Sequence, residues 1–482
     1  MIAQVALAKN EFPLFGSFSS AGPFVFGPLF YWFNMLAYTL MPFSYQSPWY
    51  LMIIAGIATV GIMAYLGYVI EGKRLAIIMG LLVAFCPQFI SRSTSLSQHS
   101  LIGITTACLL LFFVLYYKRR KLKFAFLSGI SLGAALSMHY QALNLLIFFP
   151  AILLIPKIPL KKKLAAVLLM VLGFLIPSLP LLYWDSRQSF ANIRNMLDYF
   201  LIVQYRMYVP NSWKLYLLRF LPDYWANVVC GSLPIAFFLM IVTFLTFIYA
   251  TVKRKIPGEV FIIGAIFGIL ILVIRYYRGV RFEGYMIYTA PFIFLLSGWA
   301  MLAIYDFSII KFRKKGIKKM LPLIFLLLFT VILAADFDNA GQFIFFKSYY
   351  NRDIARSIDN LASSHPNTKF KIYYTPWGVS GPVYAVSLLM SDRKLLDKNG
   401  LPIGLTRFTD VDIKNTEIIG NLAGLATIDP RRYDDKKISK KWAPANPEDV
   451  YDDLITRWTK QEKLKATFSL DKYILERLHL KN

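Results

Sequence analysis

Three arginines with tyrosines between them form a dense cationic motif. They are Arg275, Arg278 and Arg281, in a segment that reads Arg-Tyr-Tyr-Arg-Gly-Val-Arg. Arginine binds phosphate and carboxylate groups through a planar fork of N–H donors. The spacing therefore predicts a site for an anionic ligand, such as a lipid phosphate at a membrane surface. The alternative is that these arginines reach the lipid head groups from the ends of helices and bind nothing specific.

Two carboxylates are candidates for chemistry beside such cations. Asp185 follows a long apolar run, and Glu283 lies two residues after the third arginine. A carboxylate can act as general base on an acceptor hydroxyl while positive groups stabilise a departing phosphate. Asp185 has an equally good alternative role, because it can cap the helix that follows its apolar run. The polar residues 98–100 can likewise contact a sugar or cap a helix.

Four further residues are candidates for the wall of a substrate cavity, namely His139, Tyr140, Arg187 and Tyr285. His139 and Tyr140 form a polar hinge between two apolar runs. Arg187 lies near the start of a polar loop, residues 185–229, whose length is typical of a functional or partly helical segment. Polar residues at a membrane face often mark a substrate path. A structural hydrogen bond is the alternative for His139, and an aromatic belt is the alternative for Tyr285.

The composition indicates a polytopic membrane protein. Apolar residues make up 57% of the 482 residues and charged residues 17%, and the mean hydropathy is +0.52. Ten apolar runs are candidates for membrane-spanning helices. They are residues 49–70, 75–92, 99–117, 124–139, 141–156, 164–184, 230–252, 258–274, 284–304 and 320–336.

Basic clusters predict the orientation, because cytoplasmic loops of membrane proteins are enriched in Lys and Arg. The clusters are residues 73–74, 118–123, 157–163, 253–255 and 311–319. All of them lie on one side only if the aromatic segment 24–44 does not cross the membrane, so we expect an interfacial or re-entrant helix there, opening on the Gly-Pro turn. Residue 1 and the tail 337–482 are then extracytoplasmic, and an upstream span is expected to be missing from this chain.

The predicted organisation has three parts: a loop with a juxtamembrane helix (1–48), a transmembrane domain of about ten helices (49–336), and a small extracytoplasmic α/β domain (337–482). In the last part we predict helices at 352–363 and 447–460, strands at 369–374 and 465–474, and a turn at 376–378. The tail shows no nucleotide loop, zinc motif or serine-hydrolase elbow. The three cysteines lack metal or disulfide spacing. The net charge of +26 is explained by topology and does not predict nucleic-acid binding.

A series of short motifs follows a fixed order along residues 11–336. The motifs are Pro13 to Gly16, Gly27 to Trp32, Lys73-Arg74, Cys86-Pro87, Ser91-Arg92, His139-Tyr140, Tyr183 to Arg187, and Tyr285 to Tyr288 before Pro291. Each motif is weak alone. Their order and their shared sidedness resemble the GT-C glycosyltransferases, the group that includes protein O-mannosyltransferases and the bacterial aminoarabinose transferase.

The resemblance implies a bacterial plasma-membrane enzyme of the cell envelope that moves a sugar, with inversion, from a polyprenyl-phosphate carrier to an extracytoplasmic acceptor. The acceptor is a lipid, a glycan or a protein. The donor phosphate would lie near the three arginines, with loop 185–229 as part of the cavity. The group's usual base is an aspartate near the start of the first outer loop, and this chain begins after that place. Glu11 lies too close to Pro13 to match it. A divalent metal is possible, although no ligand cluster supports one.

Two other functions stay open at the level of sequence. A transporter or flippase for a lipid-linked anion would carry polar or charged residues at mid-membrane. The apolar runs here are nearly free of charge, and the polar residues gather at one face. A catalytically inactive membrane scaffold, whose outer domain binds a partner, is consistent with the missing aspartate.

Overall fold

A computed structural model describes most of the chain. The described residues are 2–19, 22–42, 46–203, 212–229, 231–275, 286–311, 320–344, 350–374, 380–406, 418–422, 425–428, 443–444 and 446–447. They form two compact units. The described residues of 14–30 and 49–346 form one unit, and the described residues of 1–13, 31–48 and 347–463 form the other.

The first unit is a bundle of apolar helices that coincide with the predicted runs. In chain order these are α3 (Ser47–Glu71), α4 (Lys73–Phe85), α5 (Pro87–Ser93), α6 (Ile102–Arg119, after a 3₁₀ turn at Gln98–Leu101), α7 (Leu122–Met138), α8 (Phe148–Ala151), α9 (Leu160–Ser186), α10 (Ala191–Leu201), α11 (Ser212–Leu215), α12 (Leu221–Val228), α13 (Leu233–Val252), α14 (Gly258–Arg275), α15 (Ala290–Lys311) and α16 (Leu321–Ile344). Within the described residues, five helices are long and apolar enough to span a bilayer, or six when α4 and α5 count as one bent span. The chain is a multi-pass membrane protein, as its hydropathy predicts.

Two of the predicted spans differ from regular α-helix. The run 75–92 is broken between α4 and α5, which meet at 60°, because Pro87 cannot donate the hydrogen bond that would continue α4. The run 141–156 is mostly 3₁₀-helix, at Tyr140–Ile147 and Ile152–Leu154 around the short α8. A 3₁₀-helix rises about 2.0 Å per residue, so these fifteen residues reach about 28 Å.

Helices α7 and α9 pack at very short distance. Gly129 and Gly133 of α7 are four residues apart and face Gly173 of α9. A Cβ atom on Gly129 would lie 1.9 Å from the carbonyl oxygen of Met170, and one on Gly173 would lie 2.2 Å from the carbonyl oxygen of Phe126. Small residues at this spacing let membrane helices approach until their backbones touch. The α7–α9 glycine contact therefore fixes how these two helices cross.

The aromatic segment near the start of the chain departs from the prediction. We expected a helix over 24–44 that opens on the Gly-Pro turn, but helix α2 spans only Leu29–Leu40. Residues 24–28 precede it as extended chain, and Val25 forms an isolated antiparallel bridge with Phe18. Pro28 explains the later start, because proline disfavours helical backbone in the residue before it and is itself suited to a helix's first turn.

The second unit contains a five-stranded sheet in the order β3-β4-β2-β1-β5. The strands are β1 (Phe370–Tyr374), β2 (Leu401–Thr406), β3 (Ile418–Leu422), β4 (Leu425–Ile428) and β5 (Ala443–Pro444). β1 and β2 are parallel, with Phe370 opposite Leu401, and α18 (Ser380–Asp392) connects them. The other described pairs are antiparallel. The predicted α/β domain is thus present.

The core of this unit confirms the helix predicted at 352–363. Helix α17 spans Tyr350–Ser364, and its Ile354 and Ile358, spaced four residues apart, are both buried. They pack with strand residues of β1 and β2 and with α18. The predicted strand at 369–374 is β1. The predicted turn at 376–378 and the strand at 465–474 lie outside the described residues, as does the predicted helix at 447–460 beyond its first residue.

The N-terminal residues are divided between the two units, whereas we expected 1–48 to form one part. Helix α1 (Ile2–Ala8) packs on α2 through a small apolar cluster that contains Ala6 and Met35, and the indole of Trp32 donates to the Pro13 carbonyl at 2.9 Å. Tyr38 of α2 is half-buried and feels the charge of Asp392, and both effects raise the pKa of its phenol. These helices thus group with the sheet, and residues 14–30 group with the helical bundle.

Substituting Gly129 with Ala tests the α7–α9 glycine contact. We expect a loss of about 1–3 kcal/mol of stability, because the added methyl group meets a backbone oxygen that cannot move freely. Gly268→Ala is the matched control, since nothing lies within 4 Å of its Cβ position and alanine favours helix. Thermal unfolding of both purified variants in detergent measures the difference. Equal unfolding temperatures would contradict the prediction.

Candidate functional site

Residues 14–19 and 22–28 form the two arms of an extended hairpin at the end of the bundle opposite the described basic turns. The amide of Gly16 donates to the Phe26 carbonyl at 2.8 Å, and the amide of Phe26 donates to the Ser17 carbonyl at 3.1 Å. Glycine is required where the two arms meet, because a Cβ on Gly16 would lie 2.2 Å from the Gly27 carbonyl oxygen. The amide of Gly27 also donates to the Ser137 carbonyl at the end of α7, at 2.9 Å. The N-terminal hairpin is therefore anchored to α7.

Asn192 of α10 binds the hairpin backbone directly. Its Oδ1 accepts from the Val25 amide at 2.7 Å, and its Nδ2 donates to the Tyr140 hydroxyl at 3.0 Å. Tyr140 in turn donates to the Val25 carbonyl at 2.5 Å. Asn195, one turn later on α10, donates to the Pro23 carbonyl at 2.9 Å. Tyr140 is buried, so its hydroxyl holds the hairpin, whereas we predicted that it lines a substrate cavity.

Asp185 has the capping geometry that was one of its two predicted roles. It is 1% exposed, and its two oxygens accept from the amides of Asn192 at 2.8 Å and Ile193 at 3.1 Å. These amides belong to the first turn of α10, where backbone N–H groups lack partners within the helix. Asp185 thereby fixes the backbone of Asn192, whose side chain holds the hairpin.

His139 lies in a cluster of rings beside the hairpin. Its ring stacks on Phe26 with 4.5 Å between centroids, and His99 lies 4.5 Å from the same imidazole. The Nδ1 atom of His139 accepts from the Gln141 amide at 3.3 Å. One residue before His99, Gln98 accepts a hydrogen bond from the Ser17 hydroxyl at 2.7 Å. The cluster brings the hinge, the hairpin and the start of α6 together, and the structural role predicted as the alternative for His139 is present.

Arg187 does not enter this cluster. Its side chain is exposed, and its guanidinium lies over the Tyr183 ring, 4.5 Å from the centroid, where it also hydrogen-bonds the Tyr183 hydroxyl. The predicted loop 185–229, of which Arg187 is part, is partly helical, with α10, α11 and α12 inside it.

Helix α5 carries a second group of polar residues that the sequence alone did not single out as a site. Arg92 and Ser93 line a cleft against α3, together with Thr59 and Ser100. The charge of Arg92 acts on both His99 and Tyr224, which links the cleft to the ring cluster. Tyr224 of α12 is fully buried, and burial raises the pKa of its phenol well above the usual range. It therefore stays protonated, and its hydroxyl lies 2.9 Å from the Met286 carbonyl oxygen, to which it can donate.

Asp336 was treated as the last residue of a span, but the structure buries it at the break between α4 and α5. It is 0% exposed and acts electrostatically on Cys86, while Phe337 packs against Phe85 at 6.2 Å between ring centroids. The thiol of Cys86 lies 3.6 Å from the Asn227 carbonyl. An ionisable side chain buried between membrane helices is a candidate functional residue. The position of Asp336 in the sequence does not show that it is buried.

The other predicted site residues lie mostly outside the described residues. These are Arg278, Arg281, Glu283 and Tyr285. Arg275 ends α14, and its side chain is not among those described. Within the described part of the chain, no group of three or more His, Cys, Asp or Glu side chains is placed to hold a metal ion.

Comparison with known proteins agrees with this arrangement. Residues 23–184 match the family described as dolichyl-phosphate-mannose-protein mannosyltransferase. This stretch contains Tyr140, His99, His139 and Arg92 and extends to the residue before Asp185. No protein in the curated set matches the chain.

Solved structures share the fold at low sequence identity. ArnT from Cupriavidus metallidurans in the apo state gives a TM-score of 0.59 at 12% identity, with 89% of this chain and 91% of that chain covered. ArnT bound to undecaprenyl phosphate gives 0.57, also at 12% identity, with 89% and 92% covered. The archaeal oligosaccharyltransferase AglB from Archaeoglobus fulgidus, in complex with an inhibitory peptide and a dolichol-phosphate, gives 0.53 at 15% identity, with 80% and 59% covered. The chain therefore shares the fold of these proteins, as the resemblance predicted from the sequence implies.

Replacing Tyr140 with Phe tests the anchoring of the N-terminal hairpin. Without the hydroxyl, the Val25 carbonyl and the Asn192 amide lose their nearest partner, so we expect hydrogen exchange of the amides in residues 14–28 to rise roughly tenfold. Mass spectrometry of a peptide that covers these residues measures the rate. Tyr68→Phe is the control, because Tyr68 is 52% exposed on α3. Unchanged exchange in Tyr140→Phe would show that the hairpin does not depend on this bond.

Proposed function

We propose that the protein is a membrane glycosyltransferase that uses a polyprenyl-phosphate-linked sugar as donor. The observation that carries this proposal is the overlap between the family match, residues 23–184, and the hairpin, hinge and α5 residues that meet at one end of the bundle. The shared fold supports it, as do the lipids bound in two of the similar structures, which are undecaprenyl phosphate and dolichol-phosphate. The reaction class proposed is transfer with inversion to an extracytoplasmic acceptor.

The cluster lies at the end of the bundle away from the basic turns. Lys118 and Arg119 end α6, and the hinge at His139 lies at the far end of the next helix, α7. Because basic turns face the cytoplasm, the hairpin and hinge face the outside. We propose that the sugar is transferred on that face of the plasma membrane and that the α/β domain, residues 337–482, is extracytoplasmic and contacts the acceptor.

The three arginines of residues 275–281 are proposed to hold the donor phosphate. Positive groups placed around a leaving phosphate stabilise the charge that develops as the glycosidic bond breaks. A base must also take the proton of the acceptor hydroxyl. Since both oxygens of Asp185 accept hydrogen bonds from α10, we retain Glu283 as the candidate base in this chain. The lipid chain is proposed to run in a groove between membrane helices.

The reaction can be measured with purified protein and a radiolabelled polyprenyl-phosphate sugar. We expect labelled product with a membrane or cell-wall acceptor fraction, and we expect Arg278→Gln and Arg281→Gln each to lower kcat/KM at least tenfold, because each removes a charge-assisted contact to phosphate. Arg254→Gln is the matched control, since Arg254 is exposed in a basic turn. Absence of product with every acceptor fraction tested, from correctly folded protein, would contradict the proposal and favour a flippase or scaffold.

Two carboxylate variants separate chemistry from structure. Glu283→Gln should lower kcat by at least about a hundredfold with little change in unfolding temperature, because it removes only the proton acceptor. Asp185→Ala should instead lower the unfolding temperature, because Asn192 and Ile193 lose a capping partner worth about 0.5–2 kcal/mol. Kinetics and thermal unfolding of both variants test the assignment. The reverse pattern would make Asp185 the reactive carboxylate.

A further inference from the structure

The turn that joins α6 to α7, residues 118–123, concentrates positive charge at the basic end of the bundle. Lys118 is paired, because its Nζ lies 2.9 Å from Oε1 of the buried Glu259. The other cations of this turn are exposed and have no carboxylate partner within the described part of the chain; they are Arg119, Arg120, Lys121 and Lys123. Charge of one sign gathered in this way raises the local concentration of anions.

Two of these cations are held at one aromatic ring. The guanidinium carbon of Arg119 lies 5.8 Å from the ring centroid of Phe124, and Nζ of Lys123 lies 5.3 Å from the same centroid. Arg119 also donates to the hydroxyl of Tyr65, on α3, at 3.3 Å. These contacts position both side chains but use few of their N–H donors. The donors that remain suit the oxygens of a single phosphate group.

Arg120 adds a third cation beside a ring. It follows α6 in the left-handed conformation, with φ at 57°, and its guanidinium carbon lies 4.9 Å from the ring centroid of Tyr117. Glycine is the residue that usually takes this position after a helix, because a side chain is strained there. The arginine therefore keeps a cation in the turn at a backbone cost that glycine would avoid.

An exposed stripe of α3 leads to these cations. Its members follow helical spacing along one face and are Ile54, Ile57, Gly61, Tyr65 and Tyr68. Because α3 is long and apolar enough to span a bilayer, this stripe faces lipid chains. Nothing lies within 4 Å of a Cβ built on Gly61, so the stripe has a notch between Ile57 and Tyr65. The rings of Tyr65 and Tyr68 stack at 6.3 Å between centroids, at the level where aromatic residues meet lipid head groups.

We propose that the turn 118–123 and the adjoining stripe of α3 bind an anionic glycerophospholipid of the surrounding bilayer. Its phosphate contacts Arg119 and Lys123, and one acyl chain lies along the stripe in the notch at Gly61. Basic groups beside membrane helices recognise anionic head groups in this way. The surface lies at the end of the bundle opposite the N-terminal hairpin. It is therefore separate from the proposed donor site and does not rest on the proposed function.

Lipid binding to the full-length protein in detergent tests the assignment. Native mass spectrometry measures the retention of phosphatidylglycerol and, for comparison, of phosphatidylcholine with the same acyl chains. We expect phosphatidylglycerol to bind at least about tenfold more tightly, because only its head group has a net negative charge. Equal binding of the two lipids would overturn the proposal.

Two competitors distinguish the source of the phosphate. We expect glycerol 3-phosphate at millimolar concentration to displace phosphatidylglycerol only in part, because it lacks the acyl chain. Complete displacement would identify a site for a soluble anion and overturn the lipid assignment. We also expect one equivalent of polyprenyl monophosphate to leave phosphatidylglycerol bound, since the two sites lie at opposite ends of the bundle. Full displacement by that equivalent would place both lipids in one site and overturn the proposal.

Paired substitutions separate a specific surface from general attraction to basic turns. Arg119→Gln with Lys123→Gln should weaken phosphatidylglycerol binding roughly 30-fold, as for the loss of two interfacial cations. Arg254→Gln with Lys255→Gln is the matched control, because it removes the same charge from exposed residues of the α13–α14 turn, and it should leave binding nearly unchanged. An equal loss in both double variants would mean that net charge alone attracts the lipid, and the proposed surface would be wrong.

The position of the acyl chain has its own test. Gly61→Leu fills the notch and leaves every charge in place, so it should weaken phosphatidylglycerol binding several-fold. Open space around Gly61 predicts that the variant folds normally. Unchanged affinity in Gly61→Leu would overturn the placement of the chain on α3. Unfolding temperatures of all variants, measured without added lipid, verify that each remains folded.

Discussion

The backbone contact between α7 and α9 is the constraint on which the site depends. Three glycines, Gly129, Gly133 and Gly173, allow it, because each would place a Cβ within 2.3 Å of a backbone oxygen on the other helix. In a bilayer, helices associate through close packing and not through exclusion of water. Larger apolar side chains at these glycine positions therefore cannot replace the contact. It fixes how the ends of both helices lie relative to each other. Helix α7 ends at Met138 beside the hinge, and α9 ends at Ser186 just after Asp185.

The ends of α7 and α9 determine the shape of the N-terminal hairpin. The hairpin has one described bridge of its own, between Phe18 and Val25, and two-stranded hairpins are only marginally stable in isolation. Its position is fixed by hydrogen-bond partners on the bundle, namely the Ser137 carbonyl, Tyr140 and Asn192. Asp185 holds Asn192 in turn. Ordering the hairpin costs conformational entropy. That cost is offset by hydrogen bonds that form only when α7, α9 and α10 are correctly packed.

The sequence predicts the parts of this fold that depend on single segments. Apolar runs are long and bounded by charge, so most of the predicted spans coincide with helices, and the order of the motifs predicts the order of the elements. The sequence does not predict features that depend on contact between two segments distant in the chain. The pair Gly129 and Gly133 is visible in the sequence, but its partner Gly173 lies forty residues later. Nothing in the sequence shows that Asn192 binds the backbone of Val25. The sequence also cannot separate the two predicted roles of Asp185, because they differ only in which groups contact its carboxylate oxygens. Asp336 illustrates the same limit, because only the packing of α16 on the break shows that it is buried.

The break at Pro87 has a physical consequence for the position of α5. A helix that stops inside a bilayer leaves backbone groups that lipid cannot satisfy, so such breaks persist only where protein groups or a polar cavity surround them. Here the Cys86 sulfur accepts from the Phe89 amide at 3.4 Å, and the Asp336 carboxylate lies near the same end, where negative charge stabilises the start of a helix. The 60° bend also turns α5 away from the axis of α4, which lets Arg92 line the cleft against α3. A continuous α-helix through residue 87 would satisfy its backbone hydrogen bonds without these partners. The broken form instead requires polar groups to be buried beside the break, which an ordinary span avoids.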